Sequence, residues 1–352
     1  MGVRLRFGDA AWDVDLGPHM LLAPTATEAV NGEASNAATA ADPAAAMQAA
    51  LATPRGFPAL SFAVVPGDRV AIALGRNVPQ AASVLHGAIA SLVSASIEPG
   101  DITVVSAEPF EETPGLVDAL AAEGVATAVH DPNNADSIAM VGLTAKHEPL
   151  RLNRVIAEAD FVLPISTARA GRRDGGPAKF GGLFPRFSNR ETLDRFHGRG
   201  KTATTPRYER RVADSDEAGW LLGIGMVVVV TPGRDGGVAG IIAGEPGAVS
   251  QAGAEQFRAI WERAIDERGD LVVATVAGGA EQQSWNNIAH AVAASEKVRS
   301  GEGSVAICCE IDEVPGKAFD ALVDVFDYAD VVRKLHDKPA EDARRRSRSR
   351  SR

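Results

Sequence analysis

Apolar and polar positions follow a rhythm that changes period along this chain. Residues 3–16 alternate charged and apolar side chains around Gly8-Asp9, which predicts a short hairpin. Residues 31–54 are rich in Ala, Asn, Thr and Pro and predict a loop followed by one helix near 43–51. A regular pattern begins at residue 68. The apolar run Val70-Ala71-Ile72-Ala73-Leu74 predicts a buried strand over 68–74. Residues 79–93 place Leu85, Ile89 and Leu92 on one helical face. The alternation continues with a strand at 102–105, a helix at 114–123, a strand at 125–129, a helix at 152–159 and a strand at 161–165.

Strands alternating with helices predict an α/β protein whose sheet is mostly parallel and covered on both faces. Further strands are expected at 221–230 and 240–244, and an amphipathic helix at 254–268. A second α/β unit then starts, with a strand at 271–276, a Gly278-Gly279 turn, a helix at 285–298 and a strand at 304–309. The expected organisation is therefore two α/β domains with a cleft between them. The first runs over 1–268, a shortened second over 269–338, and a polar Arg/Ser tail over 339–352 is too poor in apolar residues to fold by itself.

Composition adds limits. The chain has 352 residues, 45% hydrophobic, enough for two cores. Its formal net charge of −10, reached despite an arginine-rich end, argues against nucleic acid as the main partner. Cys308 and Cys309 are neighbours, so in a strand they point to opposite faces and are not expected to bridge each other. The N-terminal stretch lacks the apolar core of a signal peptide, and no apolar run reaches the length of a membrane span. A protein of the reducing cytoplasm is expected.

Candidate chemistry gathers at strand ends. In parallel sheets ligands sit beyond the carboxyl ends of the strands. Those ends are Gly75-Arg76, Ser106-Ala107-Glu108, His130-Asp131 and Ser166-Thr167. Arg76, at a strand end before a helix, either suits an anion or forms a structural salt bridge. Glu108 is either a helix-entry carboxylate or, if buried, a base. His130 is either a turn residue or a second candidate base, and His290 on the later helix is either a surface residue or a third. After the last strand end comes Gly175-Gly176-Pro177-Ala178-Lys179-Phe180-Gly181-Gly182-Leu183-Phe184-Pro185, then Glu191-Thr192 and His197. Glycines allow close approach of a ligand to the backbone. The lysine can meet a phosphate as a point charge or act as an amine nucleophile, and the histidine can ligate a metal.

In order and spacing these segments resemble the nickel-pincer lactate racemase family. The resemblance rests on the Gly8-Asp9 hairpin and on Gly75-Arg76-Asn77-Val78-Pro79 after its strand. It continues through Gly142-Leu143-Thr144, Asn153 and Ala159-Asp160. It is densest at Ala170-Gly171, Gly175-Gly176, Lys179, Leu183, Pro185, Glu191-Thr192 and His197. It implies a nickel-bound pyridinium mononucleotide with two sulfur arms, the nickel-pincer nucleotide. Lys179 would anchor this cofactor beside Gly175 and Gly176, and His197 would bind nickel. Arg76 would hold the carboxylate of a 2-hydroxy acid, with Asn287 near the substrate. The reaction implied is racemisation or epimerisation by hydride transfer, and cofactor-maturation proteins are implied as partners. The chain departs from the family pattern at the two acid–base histidines, where it has Glu108-Pro109 and Thr167, and it has Ala73 in place of an aspartate. Threonine cannot serve as a base near neutral pH, so the acid–base role falls to Glu108, His130 or His290, and lactate itself is not the expected substrate. The competing reading is a non-catalytic relative that keeps the fold and binds an anion or nucleotide.

Overall fold

The computed structural model describes residues 2–15, 17, 40–110, 115–170, 179–180, 182–197, 205–233, 236–263, 265–280 and 282–315. The elements run β1 (Gly2–Phe7), β2 (Ala10–Asp15), α1 (Pro43–Ala52), α2 (Leu60–Ala63), β3 (Val70–Leu74), α3 (Ala81–Ser94), β4 (Ile102–Ser106), α4 (Leu116–Ala122) and β5 (Ala126–Val129). They continue with β6 (Ile138–Leu143), β7 (Pro149–Asn153), α5 (Arg154–Ala157), β8 (Phe161–Thr167), α6 (Arg190–His197), α7 (Thr205–Leu221), β9 (Val227–Pro232) and β10 (Val238–Gly244). Last come α8 (Pro246–Trp261), β11 (Gly269–Thr275), α9 (Trp285–Ser295) and β12 (Arg299–Cys308).

The described residues divide into two compact units, one within Gly32–Glu262 and one drawn from Met1–Asn31 and Arg263–Arg352. The larger unit is built on a six-stranded sheet in the order β10-β9-β8-β3-β4-β5. All neighbours are parallel except β9 and β10. Every residue of β3 is buried, as a central strand covered on both faces requires. Its side chains alternate between two cores. Val70, Ile72 and Leu74 join Leu85, Ile89 and Leu92 of α3 on one face. Ala71 and Ala73 face the other cluster, which holds Phe180, Leu183, Phe184 and Phe187. The small alanines leave room there for the phenylalanines of the segment that follows β8.

Helix starts carry their own signals. Asp42 accepts from the backbone N–H groups of Ala44 (2.9 Å) and Ala45 (3.1 Å), with Pro43 at the first helical position of α1. Glu245 does the same for α8, accepting from Gly247 (2.9 Å) and Ala248 (2.7 Å) before Pro246 has completed the first turn.

In the smaller unit, β11, α9 and β12 form a parallel strand pair with a crossover helix. The hairpin β1–β2 belongs with it: the Gly8 N–H donates to Val276 O at 2.9 Å and the Asp9 N–H donates to Glu310 Oε2 at 3.2 Å. This differs from the expected domain of 1–268, which kept the hairpin with the first unit. Long-range hydrogen bonding of this kind leaves no local pattern. Other departures are local. The expected helix at 152–159 is only Arg154–Ala157, because residues 149–153 pair with 138–143 as a hairpin. The expected strand at 221–230 begins later, at Val227, since Thr205–Leu221 is helical. The amphipathic helix expected at 254–268 lies at Pro246–Trp261 instead. Cys308 and Cys309 are free thiols.

Helices α1 and α3 meet at Gly87, where a Cβ would collide with Ala44 O and lie 2.9 Å from Ala44 Cα. Backbone atoms cannot step aside as a flexible side chain can. Gly87→Ala gains about 1 kcal/mol of helix propensity and loses about 1–3 kcal/mol to overpacking. We expect net destabilisation by urea unfolding, and a variant as stable as the parent would contradict this close packing.

Candidate functional site

Strand order places the site. The chain moves from β3 to β4 to β5 in one direction, while β8 lies on the other side of β3. The connections therefore diverge between β3 and β8, and a crevice opens at the carboxyl ends of these two strands. A cavity of about 680 Å³ lies there. The turns after β3, β4 and β5 contribute Arg76, Glu108 and His130, the end of β8 contributes Thr167 and Arg169, and the following segment contributes Lys179 and Arg186.

The turn carrying Arg76 is held close to β8. The Gly75 N–H donates to Ile165 O at 2.8 Å, and a Cβ on Gly75 would lie 3.0 Å from that oxygen. Thr167 Oγ1 reaches Arg76 O (3.0 Å) and Asn77 O (2.9 Å), so its hydroxyl pins this turn. Asn77 and Gln80 adopt positive φ, 53° and 49°, which lets the chain reverse into α3. Arg76 forms an ion pair with Glu108, and the Glu108 N–H donates to Ser106 Oγ at 3.2 Å.

Lys179 is fixed through its backbone. Its N–H donates to Asp216 Oδ1 at 3.3 Å, and its carbonyl accepts from Ser250 Oγ at 3.4 Å. Its Nζ lies 3.8 Å from Asp216 Oδ2. Burial raises the pKa of Asp216, and the neighbouring Lys179 opposes that rise. Next in the chain, Phe180 packs its ring into the space left by the missing side chain of Gly219 on α7. Lys179, Phe180 and the apolar residues of 182–186 are thus held by α7, α8 and the alanine face of β3.

His130 is buried, and both its ring nitrogens meet protein groups. Nε2 lies 2.9 Å from Ser188 O, so it carries the hydrogen and donates. Nδ1 is then the acceptor and faces Asn153 Nδ2 at 3.4 Å. Asn153 also takes the Val155 N–H on its Oδ1 at 3.0 Å and gives its own backbone N–H to Phe187 O at 2.7 Å. His130 and Asn153 together clip the segment around 187–188 to the sheet. The imidazole lines the cavity but has no nitrogen left for a substrate proton, so it positions this segment and is not the base proposed for it from sequence.

The remaining expected site residues belong to the smaller unit or lie outside the described residues. Asn287 lies on α9 of the smaller unit, where Nδ2 donates to Gln282 O at 2.8 Å. His290 is exposed on the same helix. Gly175 and Gly176 lie outside the described residues. His197 closes α6, and its side chain also lies outside them. Among the described residues, no three or more His, Cys, Asp or Glu side chains come together to hold a metal. Sequence reasoning missed Arg186, Arg211 and Asp216. Arg186 follows Pro185 directly, where the resembling pattern carries glycine, and that was the readable signal.

Burial lowers the pKa of His130, outweighing the Ser188 carbonyl and Asp131. Its native form stays neutral where the unfolded chain already binds a proton. Stability therefore falls as pH drops below about 6.5 and through the lowered native value. We expect the parent to lose stability relative to His130→Gln between pH 7 and pH 5 in denaturant titrations. Parallel pH profiles for the two proteins would refute this.

Residues 18–175 match a family described as the lactate racemase N-terminal domain. No curated protein matches the chain. Among solved structures, the lactate racemase apoprotein from Thermoanaerobacterium thermosaccharolyticum superposes with a TM-score of 0.73 at 16% identity, covering 96% of this chain and 82% of that one. A protein from Thermotoga maritima is also similar, at 16% identity and a TM-score of 0.45, covering 66% of this chain and 63% of that one. No helix among the described residues is long and apolar enough to cross a membrane. Residues 18–175 are thus similar to a lactate racemase N-terminal domain, and the fold of the chain is similar to that of a lactate racemase apoprotein.

Proposed function

We propose that this protein is a racemase- or epimerase-like enzyme that acts on a 2-hydroxy acid with a nickel-pincer nucleotide held in the cavity. The observation that carries this reading is that Lys179 and Arg76 line one cavity at the carboxyl ends of the sheet, together with Glu108. The cavity's side chains suit such a group. An anionic mononucleotide meets an excess of cations, and Lys179, whose backbone is bonded to Asp216 and Ser250, lines the cavity. His197 is the proposed nickel ligand.

When bound, the cofactor supplies the hydride acceptor. The protein's part is to hold and deprotonate the hydroxy acid. A guanidinium has five donors, so Arg76 can keep Glu108 while accepting a substrate carboxylate on its remaining edge. A hydroxyl beside that carboxylate then lies near Glu108, whose carboxylate takes the hydroxyl proton and later returns it. Thr167 holds the Arg76 turn in place, and Asp216 keeps the Lys179 amine oriented. The partners under this reading are a small hydroxy-carboxylate and the proteins that mature the cofactor, in the cytoplasm.

A second reading, an anion- or nucleotide-binding protein without turnover, is favoured by the commitment of both His130 nitrogens and by the Arg76–Glu108 pair. One experiment separates the two. The protein is produced together with a pincer-cofactor biosynthetic system, and its intact mass and nickel content are measured. We expect a cofactor-sized mass increase with stoichiometric nickel, both lost in Lys179→Ala. An unmodified mass without nickel, beside a lactate racemase that loads under the same conditions, would reject the enzyme reading.

A further inference from the structure

The charge inside the cavity is lopsided. Among the described residues its lining carries Arg76, Arg169, Lys179, Arg186 and Arg211, against one carboxylate, that of Glu108. Glu108 is taken by Arg76, and Lys179 has Asp216. Arg211 lies over the Phe196 ring, 5.4 Å from its centroid. Among the described residues neither Arg186 nor Arg169 has a carboxylate within ion-pair distance.

Arg186 is the more telling of the two. It is carried on the segment clamped by His130, Asn153 and the phenylalanine cluster, so it cannot easily swing away. Its surroundings lower its pKa to about 10, first by burial and then through the charges of Arg76 and Arg169, with Glu108 opposing. A guanidinium held among other cations and away from water is costly unless an anion completes the group. One carboxylate at Arg76 leaves Arg186 and Arg169 calling for a second anionic group, and the substrate and the cofactor phosphate are the two sources that the test below distinguishes.

We propose that Arg186, assisted by Arg169, forms a second anion subsite, and that the substrate is a dianionic 2-hydroxy acid: its 2-hydroxy carboxylate sits at Arg76 and its second acidic group at Arg186. This deepens the reading above by naming the substrate class, and it rests on that reading for the role of Arg76. The anion preference itself belongs to the protein's own side chains and is measurable without cofactor.

The test is calorimetric titration of the cofactor-free protein at low ionic strength with malate, with lactate and with nicotinic acid mononucleotide. The proteins are the parent, Arg186→Gln, Arg186→Lys and Arg169→Gln. We expect malate to bind at least about tenfold more tightly than lactate, as an added charge-assisted contact implies. That advantage should vanish in Arg186→Gln, shrink in Arg169→Gln and partly survive in Arg186→Lys, and added salt should weaken it. Thermal unfolding of each variant without ligand separates loss of the subsite from loss of the fold, and Arg169→Gln, an exposed position, keeps the test open if Arg186→Gln does not fold. Equal affinity of the parent for malate and lactate would overturn the proposal. So would an Arg186→Gln effect confined to the mononucleotide, which would assign the arginine to a cofactor phosphate. A protein that fails to load nickel but still prefers malate through Arg186 would refute the enzyme reading and leave the dianion subsite standing.

Discussion

Strand β3 hydrogen-bonds in parallel to β4 on one side and to β8 on the other, and all five of its residues are buried. The other features of the larger unit depend on that placement. A parallel neighbour on each side requires crossovers, and the crossovers bring helices onto both faces. Because β8 and β4 flank β3 from opposite directions, the chain leaves β3 and β8 over a crevice that neither helix layer fills. The cavity is therefore a consequence of strand order before any particular side chain is considered.

Side-chain size then decides which face can host chemistry. On one face Val70, Ile72 and Leu74 meet the aliphatic stripe of α3 in a packed core. On the other, Ala71 and Ala73 leave a shallow floor, and Phe180, Phe184 and Phe187 fill it from above. Those aromatic anchors are interleaved in sequence with Lys179, Pro185 and Arg186. Packing the phenylalanines down onto the alanines therefore presents the cations around the cavity. His130 and Asn153 extend the same logic in hydrogen bonds, turning a buried imidazole into a fastening.

The electrostatics of the cavity run against the charge of the whole chain. An acidic protein of net charge −10 concentrates arginine and lysine around one crevice. Charges in a partly dry cavity act over short distances with little screening, so the local excess, not the overall sum, governs what enters. The same crowding explains why Arg76 keeps Glu108 as a partner, and why Arg186 holds its proton less tightly than an ordinary arginine.

Local patterns determined much of this protein. The apolar run of β3, the stripe of α3 and the alternation of strands and helices follow from periodicity alone, and they already place Arg76, Glu108 and His130 at strand ends. The glycine-rich stretch around Lys179 was also legible, because its composition departs from everything around it. Tertiary structure decided the rest. Whether His130 has a free nitrogen depends on Ser188 and Asn153, which lie 58 and 23 residues away in sequence. The hairpin β1–β2 finds its partners at Val276, through a backbone hydrogen bond, and at Glu310, whose carboxylate accepts the Asp9 N–H, and neither contact leaves a pattern in the neighbouring sequence. Arg186 looks like any surface arginine until the packing of Phe184 and Phe187 draws it to the cavity. Periodicity reports which face of an element is buried. It cannot report what that face meets, because burial is set by local spacing, whereas contact is set by how the whole chain closes on itself.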